Sequence, residues 1–405
     1  MAEQMKPSGI DWIGDIPESW KVTRLQTLFD QVKDKNSGTK EKNLLSLSYG
    51  KIVKKDIEGA FGLIPESFDT YNIIKKNDIV LRLTDMQNDQ VSLRTGLVKE
   101  EKGIITSAYV TIRLRFGSPS YYHWYLYAFD TSKQIYAFGQ GVRQSLTFEE
   151  LKKMLILLPS PKEQQAIADF LDEECAQIDS IATDLEKQIA LLQQYKKSLI
   201  TETVTKGLDK SVPMKDSGVE WIGKIPDHWD AKRMKYFLSV SSGDAITNEQ
   251  LEDGEYPVYG GGKQMGYFNR TNVDKNKILI GRVGANCGCV TITDVPSWAT
   301  DNALVVQTYC HFKYIYYLLI SADLNRLNEA NAQPLITGAK VGNCVVSFTK
   351  NYAEQEEIAR YLDEHCEKIE NIIVGKQEQL ETIRQHKKSL IYEYVTGKKR
   401  VKEVQ

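Results

Sequence analysis

Pro7-Ser8-Gly9-Ile10-Asp11-Trp12-Ile13-Gly14-Asp15-Ile16-Pro17-Glu18-Ser19-Trp20 returns as Asp216-Ser217-Gly218-Val219-Glu220-Trp221-Ile222-Gly223-Lys224-Ile225-Pro226-Asp227-His228-Trp229, with both Trp, both later Gly and the Pro in register. A second pair of copies lies downstream of each box. Glu163-Gln164 through Lys196-Lys197-Ser198-Leu199-Ile200 returns as Glu354-Gln355 through Lys387-Lys388-Ser389-Leu390-Ile391. The stretches between the copies share little with each other. A chain that repeats its frame and varies its inserts holds two related modules and lets each read something different.

The downstream copies are helical. Leu171, Ile178, Leu185, Leu192 and Leu199 follow one another at a constant spacing of seven, and the second copy answers with Leu362, Ile369, Lys376, Ile383 and Leu390. Apolar residues at that period form a coiled-coil seam. Each helix is expected to run about 40 residues, or roughly 60 Å. A half-polar helix of that length needs a partner, so the two are expected to pack antiparallel, Lys376 being the one charged residue in the seam. The acidic first turns (Glu163, Asp169, Asp172; Glu354, Glu356, Glu357) suit the helix dipole, and the Lys196-Lys197 and Lys387-Lys388 pairs read as solvated ends.

The inserts read differently. Short β-branched runs such as Asp78–Leu83, Tyr109–Leu114, Lys277–Ile280 and Ala303–Val306 alternate with Gly, Asn and Asp turns, and aromatic-rich helical stretches follow at 121–129 and 311–320. The fold class is therefore α+β. Two α/β domains are joined by a pair of long antiparallel helices in an internal repeat. The divisions are 1–20 (first Trp box), 21–160 (first insert), 161–210 (helix), 211–229 (second box), 230–350 (second insert) and 351–405 (helix).

At 405 residues, 41% hydrophobic and 26% charged, the composition is that of ordinary soluble protein. No apolar run reaches the ~18 residues of a membrane span and the N-terminus has no apolar signal core, so a cytoplasmic, non-membrane location is expected. The six cysteines are too sparse for a disulfide scaffold and lack zinc-ligand spacing. The net charge of −2 hides an uneven distribution: residues 21–160 carry 21 basic against 15 acidic side chains, and 163–210 carry 5 against 10. Only the first insert offers a clear basic face.

No catalytic constellation rises above background. Tyr259-Gly260-Gly261-Gly262-Lys263-Gln264 lacks the Gly-Lys-Ser/Thr end of a phosphate loop, and no Asn/Asp-Pro-Pro-aromatic tetrapeptide exists. What the inserts do carry are base-reading side chains in turns. In the first these are Arg82, Thr84, Asp85, Gln87, Asn88 and Arg94, with Arg143 and Gln144 in a Gly-flanked loop; in the second they are Tyr259, Gly260, Lys263, Arg282, Asn286, Asn302 and Gln333. Arg on guanine and Asn or Gln on adenine are the commonest major-groove pairings. Ordinary turn chemistry would use many of the same residues. The four box tryptophans read as buried anchors rather than stacking platforms.

These features together resemble the specificity subunit of a type I restriction-modification enzyme, over nearly the whole length. The Trp boxes, Pro161-Lys162-Glu163-Gln164 with Ala353-Glu354-Gln355, and the Lys-Lys-Ser-Leu-Ile helix ends carry the resemblance. Pro65–Tyr71 with Leu81–Asp85, and Tyr256–Gly261 with Ile280–Ala285 and Thr300–Ala303, resemble two classes of target-recognition domain. The second helix departs from the pattern in lacking the Pro at its start. The resemblance implies two target-recognition domains that each grip one half of a split site in double-stranded DNA, and helices that set the gap. It also implies docking of two modification subunits that methylate adenine with S-adenosylmethionine, and allows two restriction subunits besides. This chain would hold no cofactor and perform no chemistry. The competing expectation is a coiled-coil scaffold joining two protein-binding domains without DNA readout.

Overall fold

The computed structural model describes residues 4–55, 67–84, 86, 93–137, 145–247, 251, 254–327 and 335–401. The α-helices among them are α1 (Leu25–Leu28), α2 (Pro119–Thr131), α3 (Phe148–Leu151), α4 (Pro161–Lys206), α5 (Phe312–Ser321), α6 (Gly338–Asn343) and α7 (Tyr352–Val395). The chain divides into two compact units, residues 1–184 with 379–405 and residues 185–378. Each unit thus takes one Trp box, one insert and a part of both long helices.

In the first unit the Trp box is a short hairpin, Met5–Pro7 against Asp15–Pro17. The Ile10 carbonyl closes the intervening turn by accepting from the Ile13 and Gly14 amides, and Gly14 takes φ +72°, a conformation open to glycine at little cost. The insert is built on a four-stranded antiparallel sheet ordered 29–31, 110–114, 79–81, 95–97. Its α2 begins with Ser118 capping the Tyr121 amide and Pro119 in the first turn. Trp20, Tyr121 and Tyr125 are fully buried and share one core with Ile79, Ile112, Leu171 and Cys175 of the sheet and α4, and with Leu390, Ile391 and Val395 of α7.

The second unit repeats the plan with different residues. Its box pairs Met214–Asp216 with Lys224–Pro226, Val219 accepts from the Ile222 and Gly223 amides, and Gly223 has φ +67°. The central sheet is ordered 238–242, 303–308, 278–281, 290–292. A separate hairpin, Tyr256–Gly260 with Lys263–Phe268, pairs in parallel with Trp298–Ala299. Trp229, Phe237, Tyr314 and Ile280 pack with Ile200 and Val204 of α4 and with Ile358, Leu362 and Cys366 of α7.

The long helices exceed the expected length, at 46 and 44 residues. Within the first unit Asp179 meets Lys387 and Glu163 meets Arg400; within the second Gln188 meets Lys376 and Lys196 meets Glu370. As one number rises the other falls, so within each unit the two helices run antiparallel. Of the seam residues read from the sequence, Leu171, Ile178, Leu185, Leu362, Ile369 and Leu390 are buried, while Leu192, Leu199 and Ile383 are half-buried. Lys376 is accommodated by donating to Gln188 Oε1 at 2.6 Å. The lysine pairs need correction. Lys196 and Lys387 are not merely solvated ends: each reaches across to a carboxylate of the opposite helix at 2.6 Å, and Lys387, whose side chain is only 14% exposed, also lies over the Trp124 and Tyr127 rings.

The repeated residues make repeated contacts. Trp20 Nε1 donates to Glu163 at 3.1 Å and Trp229 Nε1 to Glu354 at 2.9 Å. The amide of Gln164 donates to Pro159 O and accepts from Ser118 N; that of Gln355 donates to Thr349 O and accepts from His311 N. Both boxes therefore dock on a helix start, and both inserts are bonded to the same turn of helix. Trp12 and Trp221 are half-buried anchors of this frame, Trp12 against Tyr125, Phe129 and Tyr392 and Trp221 under the Arg326 guanidinium at 4.2 Å.

Candidate nucleic-acid interface

In the first unit the buried strand Ile79–Leu81 leads straight into Arg82, and the following turn is held from inside the domain. Arg82 N donates to Arg94 O at 2.8 Å, and Leu146 N donates to Leu83 O at 2.9 Å. The second bond ties the return of the 138–144 segment to the turn that precedes residues 85–92. The two segments singled out in the sequence thus spring from adjoining flanks at one end of the sheet. Arg82 and Thr84 are half-buried. Asp85, Gln87, Asn88, Arg143 and Gln144 lie outside the described residues.

Arg94 is where the reading from sequence gives way. It is fully buried, its Nη1 donates to Arg82 O at 3.1 Å and Thr84 O at 3.0 Å, and its Nε donates to Tyr136 Oη at 3.3 Å. A guanidinium placed so cannot also present its fork to a base edge, and its backbone amide is likewise taken, by Asp130 Oδ2 at 2.7 Å.

The second unit places Arg282 as the first places Arg82, at the end of the buried strand Ile278–Gly281 beside the centre of the sheet. The Asn302 carbonyl accepts from both Arg282 N and Gly261 N at 3.0 Å, and Ile336 N donates to Arg282 O at 2.9 Å. These bonds gather the 259–263 turn, the 282–286 turn, Asn302 and the return of the 328–334 segment. Gln333 lies outside the described residues. Arg282 Nη1 rests on Asp301 O at 3.2 Å, and its buried Nε has no partner among the described residues. Lys263 and Asn302 are exposed, and Tyr259 and Asn286 are half-buried. Burial, then the carboxylate of Asp294 and the nearby Tyr267, raise the Tyr259 hydroxyl above its ordinary value, so it stays a neutral donor. At Gly260 a Cβ would lie 2.2 Å from Met265 Sδ, so a side chain there would displace the exposed Met265 side chain.

Two further surface features lie in the inserts. Met265 and Tyr267 are each 48% exposed on the strand Lys263–Phe268, whose pairing shifts register at Met265 between the Val258–Gly266 and Tyr259–Gln264 pairs. Tyr49 is 82% exposed at the tip of the hairpin Leu45–Ser48 with Lys51–Lys54. Tyr49 and Gly50 both take positive φ, the backbone of a two-residue hairpin turn.

Comparison with known proteins agrees with this architecture. The Type I restriction modification DNA specificity domain matches twice, over residues 17–191 and 226–382. The MjaVIII type I restriction enzyme specificity subunit of Methanocaldococcus jannaschii is 23% identical over 96% of this chain and 95% of its own. The putative MjaX specificity subunit of the same organism is 24% identical over 96% of each. A solved chain from work on complex assembly and conformational transition of the type I R-M system shares the fold, with a TM-score of 0.61 at 14% identity over 94% of this chain and 98% of that one. With two copies of one domain covering most of its length, this chain belongs to the type I restriction modification DNA specificity family.

Proposed function

We propose that the chain is the sequence-reading subunit of a type I restriction-modification assembly and binds a two-part DNA target, one half-site per insert, with 21–160 and 230–350 as the recognition domains. The observation that carries this is the matched placement of Arg82 and Arg282, each directly at the end of a buried inner strand, with a bond from a second stretch of the insert arriving at Leu83 O in the first unit and at Arg282 O in the second. Two unlike loop sets on one repeated frame suit two unlike half-sites. Each mismatched base pair typically costs about 1–3 kcal/mol, so two short half-sites together reach a usable specificity that neither has alone. Thr84, Tyr259, Gly260, Lys263, Asn286 and Asn302, together with Asp85, Gln87, Asn88, Arg143, Gln144 and Gln333, are the proposed contacts.

The helices α4 and α7 serve as spacer and dock. Ile181, Leu191, Tyr195 and Ile372 are apolar yet 51%, 64%, 55% and 49% exposed on them, which supports docking of two modification subunits that methylate adenine with S-adenosylmethionine. Restriction subunits would join through that assembly. Inserting one heptad into both helices and mapping methylated adenines in cells carrying the complete system tests the reading. The expected result is a longer gap between unchanged half-sequences; changed half-sequences, or loss of all sequence preference on random duplexes, would favour the scaffold alternative.

A further inference from the structure

We propose that Arg94 is a positioning residue for reading of the half-site by the first unit, fixing the turn that presents Arg82 and Thr84 and linking it to the flank of the second loop. The inference rests on the DNA-reading function proposed above and goes beyond it in assigning a residue that touches no base.

A guanidinium is a rigid planar fork with five donors, and among the described residues Arg94 gives it to three acceptors in two stretches of chain. Two are main-chain carbonyls, Arg82 O and Thr84 O, on either side of Leu83. Holding both fixes the course of the turn and therefore the direction in which the Arg82 and Thr84 side chains leave it. The third is the Tyr136 hydroxyl, with the guanidinium 5.6 Å from the Tyr136 ring centroid. Tyr136 lies in the short 3₁₀ turn Gln134–Ala137, directly before residues 138–144. One side chain thus spans the flanks of both segments that carry the base-reading candidates. Asp130, at the end of α2, fixes Arg94 in turn by accepting from its amide. The second unit uses another device: Arg282 is held from outside by Asp301 O and Ser242 Oγ.

Lysine at this position keeps the charge and loses the fork. A single ammonium point cannot hold both carbonyls and the hydroxyl in the same plane, so the turn gains freedom while the domain keeps its cation. Base readout depends on side chains held to within about half an ångström, whereas phosphate contact tolerates more. Sequence discrimination should therefore suffer before affinity does, and only in one half-site.

The test uses the full chain assembled with its modification subunits. Selection from a random duplex library with the wild type defines the two half-sites, and binding is then measured on probes altered in one half-site at a time. Arg94→Lys is expected to lower discrimination in the first unit's half-site by about tenfold or more, leaving the other half-site and the gap unchanged. Tyr136→Phe, which keeps the ring and removes one acceptor, should lower it by about threefold in the same half-site, and it carries the test if Arg94→Lys does not fold. Ile156→Ala, a truncation in the core of the same unit, controls for general loosening by matched loss of melting temperature. Full retention of first-half-site discrimination in both variants overturns the proposal, and so does an equal loss in the Ile156→Ala control. A wild type that selects no half-sites at all overturns the DNA-reading function itself, and that outcome is recognisable before any variant is made.

Discussion

Glu163 shows how a repeated letter in the sequence becomes a repeated lock. Its carboxylate accepts from Trp20 Nε1 and from the Ser160 amide and hydroxyl, and meets Arg400. Burial alone would raise its pKa, but hydrogen bonds from Ser160 and Trp20 and the Arg400 charge outweigh that and lower it. A lowered folded value means stability present above the ordinary carboxylate value and lost as pH falls through the folded one. Glu163→Gln is expected to cost about 1–3 kcal/mol near neutral pH, with the gap to the wild type closing in melts taken below about pH 4. His123 works in a different window. Burial first, then Lys99 and Lys387, push its imidazole down to about 4, and its Nδ1 has no partner among the described residues. The unfolded chain then takes up a proton between pH 6.5 and 4 that the folded one refuses, so stability should fall across that interval by at most about 3 kcal/mol. His123→Phe should flatten the melting temperature between pH 6.5 and 4.5; an unchanged slope would show that other groups set it.

Among the elements, the frame was legible and the interiors of the inserts were less so, for a physical reason. A heptad seam and a Trp box are local patterns, and the helices and hairpins they announce follow from spacing alone. The strand runs at 78–83, 109–114, 277–280 and 303–306 were legible too, and appear as Ile79–Leu81, Val110–Leu114, Ile278–Gly281 and Ala303–Thr308. Arg94 and Lys387 misled because an arginine that pins a turn, or a lysine that reaches the opposite helix, differs from a solvated one only in what lies near it in space. Gly375 tests how far local rules hold in α7. It sits mid-helix, and a Cβ built there meets nothing within 4 Å. Gly375→Ala should therefore stabilise the protein by about 0.5–1 kcal/mol, read as a raised melting temperature. A lowered one would mean that the position is wanted for close approach of a partner.

At the scale of the whole molecule, each unit docks the end of one long helix on its own Trp box. The end of α4 is followed by Gly207 at φ +70°, where a Cβ would lie 3.4 Å from the Trp229 ring and 3.8 Å from Pro226 of the second box. The end of α7 is followed by Gly397 at φ +74°, where a Cβ would lie 2.4 Å from Pro17 and 3.2 Å from the Trp20 ring of the first box. The first arrangement is continuous in the chain. The second brings the last described helix and its end against the first box, through Tyr392 Oη to Trp12 O at 3.0 Å and Lys398 to Asp15 O, and against α2, through Tyr121 Oη to Val395 O at 3.0 Å. The first unit thus reaches, without a covalent link of this kind, the packing that the stretch between Lys206 and Met214 accompanies in the second. A circular permutant that joins Val401 to Gln4 through a short Gly-Ser connector and opens between the exposed Lys210 and Ser211 should keep both units. Its melting temperature is expected within a few degrees of the parent, with the same two half-sites selected from random duplexes. A permutant that melts in two separate transitions, the unit of residues 185–378 first, would show that the 207–213 link stabilises the second box beyond the contacts of Gly207, Pro226 and Trp229.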